Sequence, residues 1–170
     1  MATETEKHLT DWLRDAHAME QQAEKMLEGQ ASRLEHYPEL RARIEQHIQE
    51  TRGQSKKLEE CMSQMGVDLS TLKDMGAKLT AFGQAMSGML VSDEVVKGSM
   101  ASYSFEHFEI ASYKALIQAA EAAGKPEVAR VCQEILKEEE AMAKWLSDHL
   151  DDTTRKFLER AESGQLTAKS

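Results

Sequence analysis

The sequence has little that would build a β fold, a disulfide framework or a membrane span. Its 170 residues include two cysteines and two prolines, and aromatic residues make up 5%. No stretch approaches the roughly 20 apolar residues that a spanning helix needs. Positive charge is also scarce, since 21 Lys and Arg face 30 Asp and Glu, for a net charge of −9. This balance argues against nucleic acid and anionic membranes as partners.

Cysteine usage and the first residues give two further expectations. Cys61 and Cys132 have no C-x-x-C partner and fall within helical patterns, so we predict two small buried side chains rather than a redox pair. The opening segment MATETEKHLT is too polar for a signal peptide. We therefore expect a cytoplasmic protein.

What the chain does contain is helix-forming residues at helical spacing. Apolar residues recur every three or four positions over residues 3–34, from Pro38 to Gly66, from residue 92 to Gly124, and from Pro126 to Leu150. The two prolines suit the first turn of the helices that they open. Short connections make the first and second helices, and the third and fourth, antiparallel pairs.

The pairs are joined by a longer segment, residues 67–91, with a weak helical pattern. Two hairpins with one long crossover have the connectivity of a ferritin-like bundle. The sequence thus predicts an all-α, ferritin-like four-helix bundle as a single domain over residues 1–162. Residues 153–162 could form a short extra helix, and 163–170 a flexible tail.

Carboxylates fall on the apolar faces of these predicted helices. Glu20 is in phase with Leu13 and Leu27, and Glu106 and Glu109 lie one turn apart among core residues. In the second helix His47 follows the apolar phase, with Glu50 three residues on. In the fourth helix Glu139 is in phase, with Glu138 beside it, and the sequence leaves open which of the two faces inward.

Several carboxylates pointing into one bundle would repel each other unless something compensates. Protonation, arginines or metal ions could do so, and the inner faces show no Arg or Lys near these positions. Carboxylates with some imidazole suit iron or manganese. We therefore predict a di-metal site, with Tyr113 as a nearby hydrogen-bond donor or radical sink. Its predicted ligands are Glu20, His47, Glu50, Glu106, Glu109 and Glu139.

Four segments carry a resemblance to a known family. They are DWLRDAHAMEQQAEKMLE, YPELRARIEQHIQET, FEHFEIASY and ILKEEEAMAKWL. The chain resembles the YciE/YciF family of bacterial ferritin-like proteins, and the YciE branch most closely. The resemblance implies a bundle paired as a homodimer, a rubrerythrin-like di-metal centre and a stress-associated cytoplasmic role.

The chain departs from the related rubrerythrin pattern at two positions and from the YciF branch at a third. The residues three places after Glu50 and Glu139, where rubrerythrins carry ligating histidines, are Gly53 and Met142. The YciF branch has an aspartate where this chain has Ala143. No cysteine-rich rubredoxin-like segment is present, so electrons for peroxide reduction would come from an external donor.

Two hypotheses remain open from the sequence. The first is a di-iron or Fe/Mn protein that reacts with O2 or peroxide. The second is a non-enzymatic dimeric stress protein with a degenerate or empty metal site, which acts by binding a partner through the Met-rich stretch from Met75 to Met100.

Overall fold

Four long helices form the part of the chain that the computed structural model describes, residues 2–69 and 93–165. Within these two ranges there is no β-strand, and the predicted all-α, four-helix architecture is confirmed. Most of the predicted crossover, residues 70–91, lies outside the described residues. The helices are α1 (Glu4–Ala31), α2 (Pro38–Gln64), α3 (Glu94–Ala122) and α4 (Pro126–Glu162).

Local signals in the sequence set the helix ends. The Thr3 hydroxyl accepts a hydrogen bond from the Glu6 N–H at 3.2 Å, and the Glu6 carboxylate accepts one from the Thr3 N–H at 2.9 Å. This reciprocal capping box satisfies two donors that the helix leaves free. At the far ends of α2 and α3, Gly66 and Gly124 have φ of 72° and 66°, which residues with a Cβ rarely adopt.

The predicted short extra helix does not exist as a separate element. The fourth helix is continuous over 37 residues, about 55 Å at ~1.5 Å per residue. Asp151 and Asp152 are exposed and do not interrupt it, whereas Thr153 and Phe157 are buried. Phe157 packs into the same apolar cluster as Leu146. The apolar face of α4 therefore continues past Asp151 and Asp152, and its burial keeps the chain helical beyond them.

The helices pack so that α1 contacts α2 and α3, and α4 contacts α3 and α2. Two apolar clusters fill the interior, one of which includes Leu13, Leu58 and Ile135, and the other Ile44 and Met142. Along α4, the buried Glu139 comes between Ile135 and Met142. The charged part of the interior thus lies where one apolar cluster gives way to the other.

Within the described residues, none of the helices combines the length and apolar character needed to cross a bilayer.

Both cysteines are buried and unoxidised in the same apolar cluster. Burial raises the pKa of Cys61 and raises that of Cys132 to about 12. At pH 8 this makes the thiolate fraction of Cys132 roughly 10³-fold smaller than that of a free cysteine.

We expect no measurable alkylation of the native protein by iodoacetamide at pH 8, and two labelled thiols per chain in guanidinium. Rapid labelling of the native protein would contradict the buried placement.

Candidate metal centre

Four buried side chains from three helices converge at the centre of the bundle. They are His47 from α2, Glu106 and Glu109 from α3, and Glu139 from α4, and one ligand atom from each lies within 4.8 Å of the others. Each of the four is 2% exposed or less. A nitrogen and three carboxylates at this spacing could surround one metal ion.

Helical geometry brings these groups together. Glu106 and Glu109 are three residues apart, so their side chains leave α3 on the same face, which also buries Phe105 and Tyr113. On α2, His47 lies between the buried Ile44 and Ile48. The acids therefore share the apolar phase of their helices, as the sequence predicts.

His47 contacts carboxylates through both ring nitrogens. Its Nε2 lies 3.4 Å from Glu106 and 3.3 Å from Glu139, and its Nδ1 lies 2.7 Å from Glu50. Burial opposes the charged imidazolium, but its close contacts with these three glutamates outweigh burial and raise the pKa of His47 to about 12. Without a metal, His47 is thus the cation that partly compensates the acids.

The acids still retain unsatisfied oxygens. Both carboxylate oxygens of Glu109 and of Glu139 are buried without a hydrogen-bond partner. Glu106 Oε2 is within ion-pair distance of His47 but in no aligned hydrogen bond. Burial raises the pKa of Glu106 to about 8, and burial together with the charges of Glu139 and Glu20 raises the pKa of Glu109 well above its ordinary value. One imidazole therefore does not neutralise the group.

Glu20 lies next to this group and is tied to Tyr113. The Tyr113 hydroxyl donates a hydrogen bond to Glu20 Oε1, while Glu20 Oε2 is buried without a partner. Burial, with the charge of Glu139, raises the pKa of Glu20 well above its ordinary value. Burial and the adjacent Glu20 likewise raise the pKa of Tyr113, so its phenol stays protonated. Tyr113 is thus a fully buried donor, as the sequence analysis expects.

Of the six predicted ligands, Glu20 and Glu50 are not members of the four-residue group, and Glu50 lies on its outer side. Its carboxylate is partly exposed, and it accepts hydrogen bonds from Gln46 at 2.8 Å and from Arg43 at 3.2 Å, besides its contact with His47. The hydrogen bond of His47 lowers the pKa of Glu50 to about 2 despite partial burial. Glu50 therefore stays ionised behind the imidazole.

The contact with Arg43 corrects one premise of the sequence analysis. An arginine does lie beside a predicted ligand, because Arg43 reaches two turns along α2 to Glu50. It neutralises only this outer carboxylate. Within the described residues, the four-residue group has no Arg or Lys contact.

The structure distinguishes the two adjacent glutamates of α4. The Glu138 carboxylate turns to the α2 side, where it accepts from Gln54 Nε2 at 2.9 Å and lies 3.4 Å from Lys57 Nζ. Glu139 is the residue that enters the group. Two further histidines have other partners, since His17 pairs with Glu59 at 2.8 Å and His107 packs edge-on against Tyr103.

Sequence reasoning missed the role of Gln54. It is fully buried on α2 and lies seven residues after His47, two helical turns along the same face. That spacing is visible in the sequence. A buried glutamine is uncharged, however, so it does not demand a compensating charge as a buried carboxylate does, and the pattern alone does not indicate a ligand. Met142 and Ala143 are buried and apolar.

Comparison with known proteins identifies the family. The protein-family model described as "Domain of unknown function (DUF892)" matches residues 4–159. The chain belongs to the DUF892 family. A crystal structure of a protein from Xanthomonas campestris is 42% identical, covers 94% of this chain and 99% of its own, and superimposes with a TM-score of 0.80.

Two more distant structures share the fold of this DUF892 chain. The E. coli stress protein YciF is 23% identical over 92% of this chain and 99% of its own, with a TM-score of 0.71. YcfI from Rhodopseudomonas palustris is 24% identical over 86% of this chain and 94% of its own, with a TM-score of 0.67. These likenesses support the resemblance to YciE/YciF-like proteins at the level of the bundle. Assignment to the YciE branch stays an expectation.

The arrangement of Glu50 behind His47 gives a testable prediction. A carboxylate on Nδ1 fixes the tautomer and orientation of a histidine that binds metal through Nε2. We expect Glu50→Gln to weaken metal binding by roughly 10–100-fold, the usual cost of losing such a partner. Metal titration of purified protein measures this.

The matched control is Glu45→Gln, which removes an exposed acid of α2 that pairs with Arg41. It should leave metal affinity unchanged. Equal affinities of the Glu50→Gln protein and the wild type would show that His47 needs no carboxylate behind it.

Proposed function

We propose that this protein binds divalent iron or manganese in the centre of its bundle, as a di-metal site. The observation that supports the proposal is the set of buried carboxylate oxygens of Glu106, Glu109 and Glu139 without hydrogen-bond partners. Unpartnered buried polar atoms are rare in folded proteins and each one costs free energy. A bound cation would remove that cost at all of them together.

The residues present fit such ions. One imidazole nitrogen with several carboxylate oxygens is a donor set that suits iron or manganese, and the lack of thiolates disfavours a copper or structural zinc site. The first ion would be held by His47, Glu106, Glu109 and Glu139. Glu20 would add a further negative charge, since it interacts electrostatically with Glu139. Glu50 would orient His47.

A ferrous centre would supply electrons for the reduction of O2 or peroxide. The chain's own contribution is an enclosed site, since the group and Tyr113 are buried. Tyr113 holds a proton at its hydroxyl oxygen next to Glu20, where it can donate to a developing negative charge. With two buried cysteines as its thiols, the protein would depend on an external electron donor for repeated turnover.

A second candidate is a non-enzymatic stress protein that acts by association. The four-residue group contains one imidazole, that of His47, and the nearby Met142 and Ala143 of α4 are buried and apolar and add no ligand. Trp12 and Phe108 line one groove and are 42% and 45% exposed, which suits a contact surface. The occupant would be a second copy of the chain in a cytoplasmic homodimer, and YciF is itself named a stress protein.

Two measurements on protein purified without chelator separate these candidates. The first is elemental analysis, and the second is anaerobic addition of Fe(II) followed by exposure to air. The first candidate predicts close to two iron or manganese ions per chain and a new near-ultraviolet absorption on exposure to air. Metal below one ion per chain, with no spectral change, would reject it and favour the association role.

A further inference from the structure

Gln54 combines complete burial with an unpartnered oxygen. Its side chain is 0% exposed, and its Nε2 donates a hydrogen bond to Glu138 at 2.9 Å. Its Oε1 is buried without any hydrogen-bond partner. A buried amide carbonyl in this state costs free energy unless a donor or a cation meets it.

The contact with Glu138 determines which end of the amide is the oxygen. Glu138 sits near Lys57 Nζ, at 3.4 Å, and as a carboxylate it can only accept hydrogen bonds. The amide nitrogen must therefore face Glu138, and Oε1 must point elsewhere. The unpartnered oxygen is thus a consequence of the network and not of an amide placed the wrong way round.

Ion pairs between α1 and α2 place Gln54 at the level of Glu20. His17 pairs with Glu59 at 2.8 Å, and Glu24 pairs with Arg52 at 2.6 Å. These helices are antiparallel. Glu20 lies between His17 and Glu24 of α1, and Gln54 lies between Arg52 and Glu59 of α2. Glu20 Oε2 is also buried without a partner.

The same level is reached from α3 and α4. Tyr113 on α3 contacts Glu20, and Glu109 precedes it by one turn. Glu138, the partner of Gln54, is the immediate neighbour of Glu139 on α4. Unpartnered buried oxygens of Glu20, Gln54, Glu109 and Glu139 thus come from all four helices. Glu109 and Glu139 also belong to the group around His47, which lies two turns from Gln54 on α2.

We propose that Gln54 Oε1 and Glu20 Oε2 are ligands of a second, oxygen-only metal position, which shares Glu109 or Glu139 with the first. This inference rests on the proposed function, because it assumes that the first position holds an ion. An amide carbonyl and carboxylates form a harder ligand set than one that contains imidazole. The two positions therefore differ in their ligands, and we expect them to bind Mn(II) with distinct affinities.

Mn(II) titration of the whole chain, followed by calorimetry and by the loss of the free Mn(II) electron paramagnetic resonance signal, tests this assignment. The wild type should bind two ions with distinct affinities. Gln54→Leu should weaken the second ion at least tenfold and leave the first unchanged. Gln54→Glu restores an oxygen ligand, so it should retain the second ion even if the leucine variant folds poorly.

The matched control is Gln30→Leu, because Gln30 of α1 bonds to Ser102 and not to the acidic group. It should bind both ions as the wild type does. Retention of the second ion by Gln54→Leu at wild-type affinity would overturn the assignment. One ion in the wild type would also overturn it and would reduce the proposed function to a single-metal site, whereas no ion at all would reject both.

Discussion

Replacement of Glu109 by glutamine is expected to weaken metal binding and at the same time to stabilise the metal-free protein. Glu109 is 1% exposed, both its carboxylate oxygens lack partners, and burial raises its pKa well above the ordinary value. The loss of a direct ligand should weaken binding by more than the roughly 10–100-fold that an outer hydrogen-bond partner contributes. Glu106→Gln should behave in the same way.

In the metal-free state Glu109→Gln should instead stabilise the protein, because Glu109 is buried. Burial and the charges of Glu139 and Glu20 force Glu109 to take up a proton when the chain folds at neutral pH, whereas an amide of the same shape needs none. The free energy of unfolding should therefore rise, on the order of 1–3 kcal/mol. Urea unfolding in EDTA measures it. Glu121→Gln, which changes an exposed acid of the same helix, should alter neither quantity. Destabilisation of the metal-free Glu109→Gln protein together with unchanged metal affinity would mean that the carboxylate has a structural role only.

The metal-free protein is expected to lose stability as the pH rises from 5 to 8. Burial raises the pKa of Glu106 to about 8 and the pKa values of Glu20 and Glu109 well above their ordinary value. The folded chain thus holds protons that the unfolded chain has released above pH about 4.5, and stability falls with pH wherever the folded state binds more protons. Each such proton contributes about 1.4 kcal/mol per pH unit.

His47 acts in the same direction above its ordinary pKa, since its folded pKa is raised to about 12. Glu50, with a pKa lowered to about 2, contributes stability that is already complete above pH 5. Urea unfolding in EDTA at pH 5, 6, 7 and 8 should show a fall on the order of 1 kcal/mol or more per pH unit over part of this range. The Glu109→Gln protein should show a shallower fall. Constant or rising stability of the wild type would contradict the buried, protonated acids.

Metal should reverse this trend, because ligands must release protons to bind it and its stabilisation therefore grows with pH. Free Mn(II) at about 100 times its Kd would stabilise the folded state by about 2.7 kcal/mol, which raises Tm by on the order of 5–10 °C in a chain of this size.

Most of the fold and the acidic part of the site are predictable from the sequence, for a simple physical reason. Helical periodicity fixes which face of a helix is buried, so a carboxylate in the apolar phase must be inside. This reasoning places Glu20, Glu106 and Glu109 correctly in the interior. Pro38 and Pro126 likewise mark the first turns of their helices.

What the sequence leaves undetermined depends on contacts between helices. Phase cannot separate Glu138 from Glu139, because the choice depends on the partners Gln54 and Lys57 of α2. The outward position of Glu50 depends on Arg43, whose long side chain reaches it from the same helix. The continuation of α4 past Asp152 depends on the burial of Phe157 in the second apolar cluster. Local pattern contains none of these tertiary contacts.

Anomalous diffraction at the iron or manganese edge, from crystals grown with that metal, tests the central claim most directly. We expect a peak among His47 Nε2 and the carboxylates of Glu106, Glu109 and Glu139, and a second peak between Glu20 and Gln54. Metal peaks confined to surface carboxylates, with none in the bundle interior, would contradict it.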